Sequence, residues 1–184
     1  MILLNGQEIK IERFPDGTQR LNVRPPKSFV SNNITWRYES EIECMTLWFV
    51  VKHLRNNNPL RIITLTLPYV PNARMDRVNH NEEVFTLKWF AEFINSLNFN
   101  KVIVLDPHSN VTTALINKVK VNNPIDHIQI VLNTIENAGY TPILYFPDAG
   151  AMKRYECMLP DYPFLYGEKV KAYVEAVNKN EAIV

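Results

Sequence analysis

Cysteine and glycine are scarce in this sequence of 184 residues, which has two of the first and five of the second. Cys44 and Cys157 lie far apart in the chain. They exclude a disulfide framework and a zinc motif built on closely spaced cysteines, and they favour a reducing compartment. The few glycines form neither a Walker loop nor a Gly-x-Gly-x-x-Gly run, so a P-loop or dinucleotide site is not expected. An excess of one charge is also missing. Twenty Lys and Arg against nineteen Asp and Glu leave a formal charge of +1. A polyanion-binding surface is therefore not expected, and nucleic acid is not an expected partner. Any phosphate chemistry has to come from local placement of Arg and Lys. Finally, no apolar run approaches the roughly 20 residues that span a bilayer. The opening Met1-Ile2-Leu3-Leu4-Asn5-Gly6 has no basic stretch of the kind that precedes a signal sequence. The expectation is a cytoplasmic protein without a membrane partner.

What is present suits a globular α/β chain. Hydrophobic residues make up 46% and charged residues 21%, enough to build a core. The first 17 residues read as a hairpin, with Phe14-Pro15-Asp16-Gly17 as its turn because Pro fixes φ and Gly accepts positive φ. Strand-like sequence follows as far as Tyr38. Ser40 and Glu43 have capping-box spacing and predict a helix, with Ile42, Met45 and Phe49 as its buried stripe. Residues 62–67, rich in β-branched side chains, predict a strand buried on both faces. A second helix is expected from Asn81, with Glu82 and Glu83 in its first turn and Phe90, Phe93, Ile94 and Leu97 inward. Residues 102–105 read as the next buried strand. Asn123 and Pro124 open a third helix, with Ile125, Ile128, Leu132 and Ile135 inward and Gly139 at its end. Strands at 143–146 and 164–166 flank a short helix from about Ala151.

This alternation predicts a doubly wound α/β fold, with a mainly parallel sheet, helices on both faces and an N-terminal β-hairpin. The expected domains are residues 1–139 and the start of a second, similar one at 140–184. Residues 169–184 hold one helical segment and no closing strand pair, so the sequence reads as cut.

Ligands of open α/β sheets bind beyond the carboxyl ends of the strands. Four loops there carry chemistry: Pro68-Tyr69-Val70-Pro71-Asn72-Ala73-Arg74-Met75-Asp76-Arg77, Asp106-Pro107-His108-Ser109, Pro147-Asp148-Ala149-Gly150 and Gly167-Glu168-Lys169-Val170-Lys171. Each has a plainer reading. Arg74, Asp76 and Arg77 also suit a surface ion-pair cluster, His108 a solvated side chain, Asp148 a helix cap, and Lys169 and Lys171 a solvated face. Phe14 to Gly17 is sufficiently explained as a turn.

In this order and at these spacings, the motifs resemble those of the ribose-phosphate pyrophosphokinase (PRPP synthetase) family, over nearly the whole chain. That family shows a Pro-Tyr, Ala-Arg-Gln-Asp-Arg signature, an Asp-Leu-His-Ser-like turn, a Pro-Asp-x-Gly turn, an early Phe-x-Asp-Gly-Glu hairpin and a catalytic Lys-x-Arg. The resemblance implies transfer of diphosphate from ATP to ribose 5-phosphate, with Mg²⁺. It implies that Arg74 and Arg77 hold ATP phosphates, helped by Met75 and Asp76, and that His108 and Asp148 lie at the metal. His108, Lys169 and Lys171 would serve catalysis. Phe14, Asp16 and Thr18 would reach the adenine of an adjacent subunit, so a homo-oligomer with its ATP site at a subunit interface is implied. The chain departs from the pattern at Met75 in place of Gln, Thr18 in place of Glu, Pro107 in place of Leu and Lys171 in place of Arg. The family's acidic run with Thr-Gly-Gly-Thr does not occur before Val184, so the chain is not expected to complete the reaction alone. Two alternatives follow: an ATP-binding regulatory subunit without turnover, and a phosphoribosyltransferase of another specificity.

Overall fold

The structure is a computed structural model, and it describes residues 1–24 and 31–167. These residues group into two compact units, divided between Pro124 and Ile125.

The first unit begins with two hairpins where one was expected. β1 (Ile2–Leu4) and β2 (Gln7–Glu8) pair antiparallel through Asn5-Gly6. Both turn residues have positive φ, 51° and 83°, which suits the right-handed twist of a tight hairpin. β3 (Ile11–Arg13) and β4 (Gln19–Leu21) form a separate antiparallel pair around the expected Phe14–Gly17 turn.

β5 (Asn32–Trp36), β6 (Ile63–Leu67), β7 (Lys101–Leu105) and β8 (Val119–Asn122) then run parallel. With β1 and β2 at one edge, the sheet order is β2-β1-β5-β6-β7-β8. The fold is thus mixed α/β, with a mostly parallel central sheet and an N-terminal antiparallel pair. Along β6 the burial alternates. Ile63, Leu65 and Leu67 are fully buried, whereas Thr64 and Thr66 are half-buried on the other face. The threonines mark this second, more polar face, where Thr66 Oγ1 donates to Asn33 Oδ1 at 3.2 Å.

Between the parallel strands lie α1 (Ile42–Asn57), α2 (Thr86–Ser96) and α3 (Asn110–Leu115). The core joins Leu47, Val50 and Leu54 of α1 and Leu87, Phe90 and Ile94 of α2 to Trp36, Leu65 and Val104 of the strands. The expected inward stripe of α1 is corrected here: Ile42, Met45 and Phe49 are exposed, and the buried set is Glu43, Thr46, Leu47, Val50, Val51 and Leu54. The cause is Glu43. Its carboxylate accepts from the Trp36 indole at 2.9 Å and from the Glu39 and Ser40 amides, and it also meets the Met1 ammonium. A buried carboxylate with these partners fixes the roll of the helix, since leaving it unpaired costs several kcal/mol, on the order of 3. The bond from Ser40 is the reach-back half of a capping box, although the helix itself begins at Ile42.

α2 starts five residues later than Asn81. The Glu83 carboxylate is engaged by the Asn79 amide at 2.7 Å, which holds this stretch as a turn. α3 and β8, both short, were not anticipated from the sequence.

The second unit contains α4 (Ile125–Asn137), β9 (Leu144–Phe146), α5 (Ala149–Tyr155), a 3-10 turn (Glu156–Met158) and β10 (Phe164–Tyr166), with β9 and β10 parallel. α4 ends in a Schellman motif: Gly139 N donates to Glu136 O at 2.9 Å and Tyr140 N to Ile135 O at 3.2 Å, with Gly139 at φ 85°. Of its expected inward stripe, Leu132 alone is buried. The helix expected within residues 169–184 lies outside the described residues.

Candidate functional site

β6 and β7 are adjacent and parallel, with Leu67 paired to Val104. Their carboxyl ends therefore release two loops side by side, one carrying Arg74, Asp76 and Arg77 and the other His108 and Ser109. Both loops turn through left-handed residues, Asn72 at φ 61° and Asp106 at φ 43°. Asn and Asp tolerate that region better than other non-glycine residues. At Asn72 the turn closes with Met75 N donating to Asn72 O at 2.9 Å.

Asp76 is the centre of this edge. Its side chain is 9% exposed and accepts from Arg77 Nε at 3.1 Å, whereas the Arg77 side chain is 76% exposed. Burial pushes the Asp76 carboxyl up. The hydrogen bond from Arg77 and the charges of Arg77 and His108 outweigh it, and the group lies below its ordinary value. The carboxylate is therefore ionised at neutral pH, and it occupies one edge of the Arg77 guanidinium. The remaining guanidinium nitrogens face solvent, as phosphate recognition by a fork of donors requires. Arg74 and His108 are exposed and Met75 is half-buried. At the neighbouring strand ends, Tyr38 and Tyr69 face each other with ring centroids 6.4 Å apart. Tyr69 belongs to the Pro-Tyr motif, whereas Tyr38 gave no functional signal in the sequence, and the pairing of β5 with β6 brings the two together.

The remaining expected residues are placed as follows. Phe14 is half-exposed at the β3–β4 turn. Asp16 Oδ1 accepts from Thr18 Oγ1 at 2.7 Å and Thr18 N at 2.9 Å, and these bonds hold its carboxyl below the ordinary value. Asp148 belongs to the second unit and caps α5, accepting from Ala151 N at 2.8 Å. Its helix-cap reading is thus realised. Lys169 and Lys171 lie outside the described residues.

A cleft of about 450 Å³ between β4 and α1, lined by Leu21, Val23, Phe49 and His53 among others, shares no residue with this edge, and among the described residues no Lys or Arg lines it. The strand-end loops are the better candidate, because they carry the charges. Among the described residues no group of three or more His, Cys, Asp or Glu is arranged to hold a metal. Mg²⁺ takes six oxygens and keeps several waters. It fits this edge only as an ion carried in on phosphate oxygens, with the chain adding one or two side chains.

No family model matches the chain. Among curated proteins it is similar to the ribose-phosphate pyrophosphokinase of Buchnera aphidicola from Acyrthosiphon pisum, 27% identical over 158 residues, covering 83% of this chain and 49% of that protein. The ribose-phosphate pyrophosphokinase of Corynebacterium ammoniagenes is 24% identical over 177 residues, covering 92% and 51%. Ribose-phosphate pyrophosphokinase 3 of Saccharomyces cerevisiae is 32% identical over a shorter stretch of 95 residues, 51% and 29%. The chain thus spans about half the length of most of the curated relatives it matches. Among solved structures, phosphoribosylpyrophosphate synthetase from Mycobacterium smegmatis shares the fold, with a TM-score of 0.69 at 14% identity over 90% of this chain and 57% of that one. The chain is thus similar to ribose-phosphate pyrophosphokinases from bacteria and yeast, and it shares the fold of a phosphoribosylpyrophosphate synthetase.

Proposed function

We propose that this chain supplies the nucleotide-phosphate side of a ribose-phosphate diphosphokinase, which moves diphosphate from ATP to ribose 5-phosphate and gives PRPP and AMP. The observation that carries the reading is the junction of the loops after β6 and β7, where an ionised Asp76 with a largely buried side chain holds an exposed Arg77 and feels the charge of His108. In the reaction the C1 hydroxyl oxygen of the sugar bonds to the β phosphorus. The bond from that phosphorus to the oxygen bridging to the α phosphorus breaks, AMP departs with it, and the hydroxyl proton is lost. Such a transfer is accelerated by positioning and charge neutralisation.

In this reading Arg74 and Arg77 bind ATP phosphates and Asp76 orients Arg77. Mg²⁺ bound with the nucleotide would neutralise phosphate charge, and His108 would be the side chain of this edge offered to it. Asp148, Lys169 and Lys171 keep the roles that the resemblance implies. Phe14, Asp16 and Thr18 would contact the adenine of a neighbouring subunit in a homo-oligomer. The test is isothermal titration of the chain with a non-hydrolysable ATP analogue and Mg²⁺, beside Arg77→Ala. Binding in the wild type that falls at least about tenfold in the variant supports the reading. Equal binding in both refutes this placement of the nucleotide.

A second reading, an ATP-binding regulatory subunit without turnover, has its own observation. Thr18, which stands where relatives are expected to have Glu, ties up Asp16 Oδ1 with two hydrogen bonds. Nucleotide binding without AMP formation in the presence of ribose 5-phosphate would favour it.

A further inference from the structure

The outer side of α1 is apolar where the solvent face of a helix is usually polar. Ile42 is 55% exposed, Met45 50%, Trp48 38% and Phe49 39%. The Trp48 and Phe49 rings meet edge to face, with centroids 5.4 Å apart. A charge of opposite sign stands at each end of this stripe. Glu41 is exposed at the amino end of the helix, and Lys52 is exposed toward its carboxyl end. At about 100° per residue, positions 41, 45, 48 and 52 fall on one face. Read along the helix, that face runs acid, methionine, tryptophan, base. Lys52 Nζ lies 5.7 Å from the centre of the Trp48 ring, so the ammonium closes the apolar stripe instead of pointing away from it.

We propose that this face is where a second copy of the chain docks, with the two α1 helices antiparallel about a two-fold axis between Met45 and Trp48. A face with an acid at one end and a base at the other is complementary to itself when turned end for end. Positions 41 and 52 share their midpoint with positions 45 and 48. One axis through that point therefore sets Glu41 against Lys52 of the other copy, twice, and Met45 against Trp48, twice. This is the reciprocity that a symmetric dimer interface demands. Parallel helices would instead oppose Glu41 to Glu41 and Lys52 to Lys52, and that repulsion selects against them. Ile42 and Phe49 flank the axis and widen the apolar strip. The proposal stands on this face alone and goes beyond the nucleotide reading, which calls for neighbouring subunits without naming the surface that joins them.

The test is sedimentation equilibrium of the 184-residue chain without ligand, over a wide range of protein concentration. Wild type is expected to pass from monomer to dimer as concentration rises. Association is expected to weaken at least about tenfold in Met45→Glu, which puts a carboxylate at the apolar centre. It is expected to weaken about tenfold in Glu41→Lys and in Lys52→Glu, each of which brings like charges together twice. The double variant, Glu41→Lys with Lys52→Glu, exchanges the two ends and is expected to recover wild-type association within about threefold. A wild-type chain that stays monomeric at every concentration overturns the proposal. A dimer that Met45→Glu leaves intact overturns it too, because another surface then joins the copies. A double variant no better than the single ones overturns the antiparallel register. Should Met45→Glu fail to fold, the charge exchange decides, since it leaves every apolar residue in place.

Discussion

The Trp36 indole donates to Glu43 Oε2 at 2.9 Å, so the last residue of β5 is tied to the first turn of α1 across seven positions of sequence. Trp36 is fully buried and has Tyr38 and Phe90 as ring neighbours at 5.7 and 5.9 Å. Its N–H has no access to water, and Glu43 satisfies it. Glu43→Ala leaves that donor and the Met1 ammonium without their partner. We expect a loss of about 3 kcal/mol in urea unfolding, compared with under about 1 kcal/mol for Glu41→Ala on the exposed side.

The same cluster sets a pH window. Burial raises the Glu43 carboxyl, but bonds from Met1, Trp36 and the Glu39 amide outweigh it, and its folded value is depressed. Its stabilising contribution is therefore full above the unfolded carboxylate value and is lost as pH falls through the depressed one. Burial lowers the Met1 ammonium, but Glu43 and Glu39 outweigh it and its value lies above 8.0. That contribution is full below pH 8.0 and is lost as pH rises through the raised value. Urea midpoints measured from acid to alkaline pH should decline at both ends in wild type. Declines equally steep in Glu43→Gln would refute the assignment.

Leu65 is fully buried at the middle of β6, and Thr66 beside it is half-buried on the opposite face. Leu65→Ala should cost about 3 kcal/mol through lost burial and the cavity it leaves. Thr66→Ala forfeits one bond to Asn33 and should cost under about 1 kcal/mol. Equal losses would mean that both faces of β6 are equally packed.

Gly139 has open space where a Cβ would stand, so Gly139→Ala meets no clash. Its positive φ of 85° remains, and the strain should cost about 1 kcal/mol of the second unit's stability. Faster exchange of the Tyr140 amide, which closes the Schellman motif, is the local readout.

The sequence was most legible where periodicity and stop signals agree. Strands β6, β7, β9 and β10, the Gly139 terminus and the Phe14–Gly17 turn all follow from it. It was least legible where a polar contact overrides an apolar pattern. Ile42, Met45 and Phe49 form a proper helical stripe, yet Glu43 faces inward because Trp36 waits there, a contact between residues on different elements. The start of α2 was misplaced for a similar reason, since Glu83 caps a loop amide and not a helix. At the candidate site, Arg74, Asp76, Arg77 and His108 were visible as residue types beyond strand ends. What remained hidden was depth. Nothing in the order of residues tells that the Asp76 side chain is largely buried and that of Arg77 is not.

α1 carries apolar residues on two sides: Leu47, Val50, Val51 and Leu54 within, and Ile42, Met45, Trp48 and Phe49 without. Hydrophobicity alone leaves two rotational settings of this helix close in energy. The Glu43 carboxylate breaks the tie, because in the alternative setting Trp36 loses its acceptor. One acidic side chain therefore acts as an orientation key, and a variant with Leu at position 43 would keep its helix while sampling more than one packing.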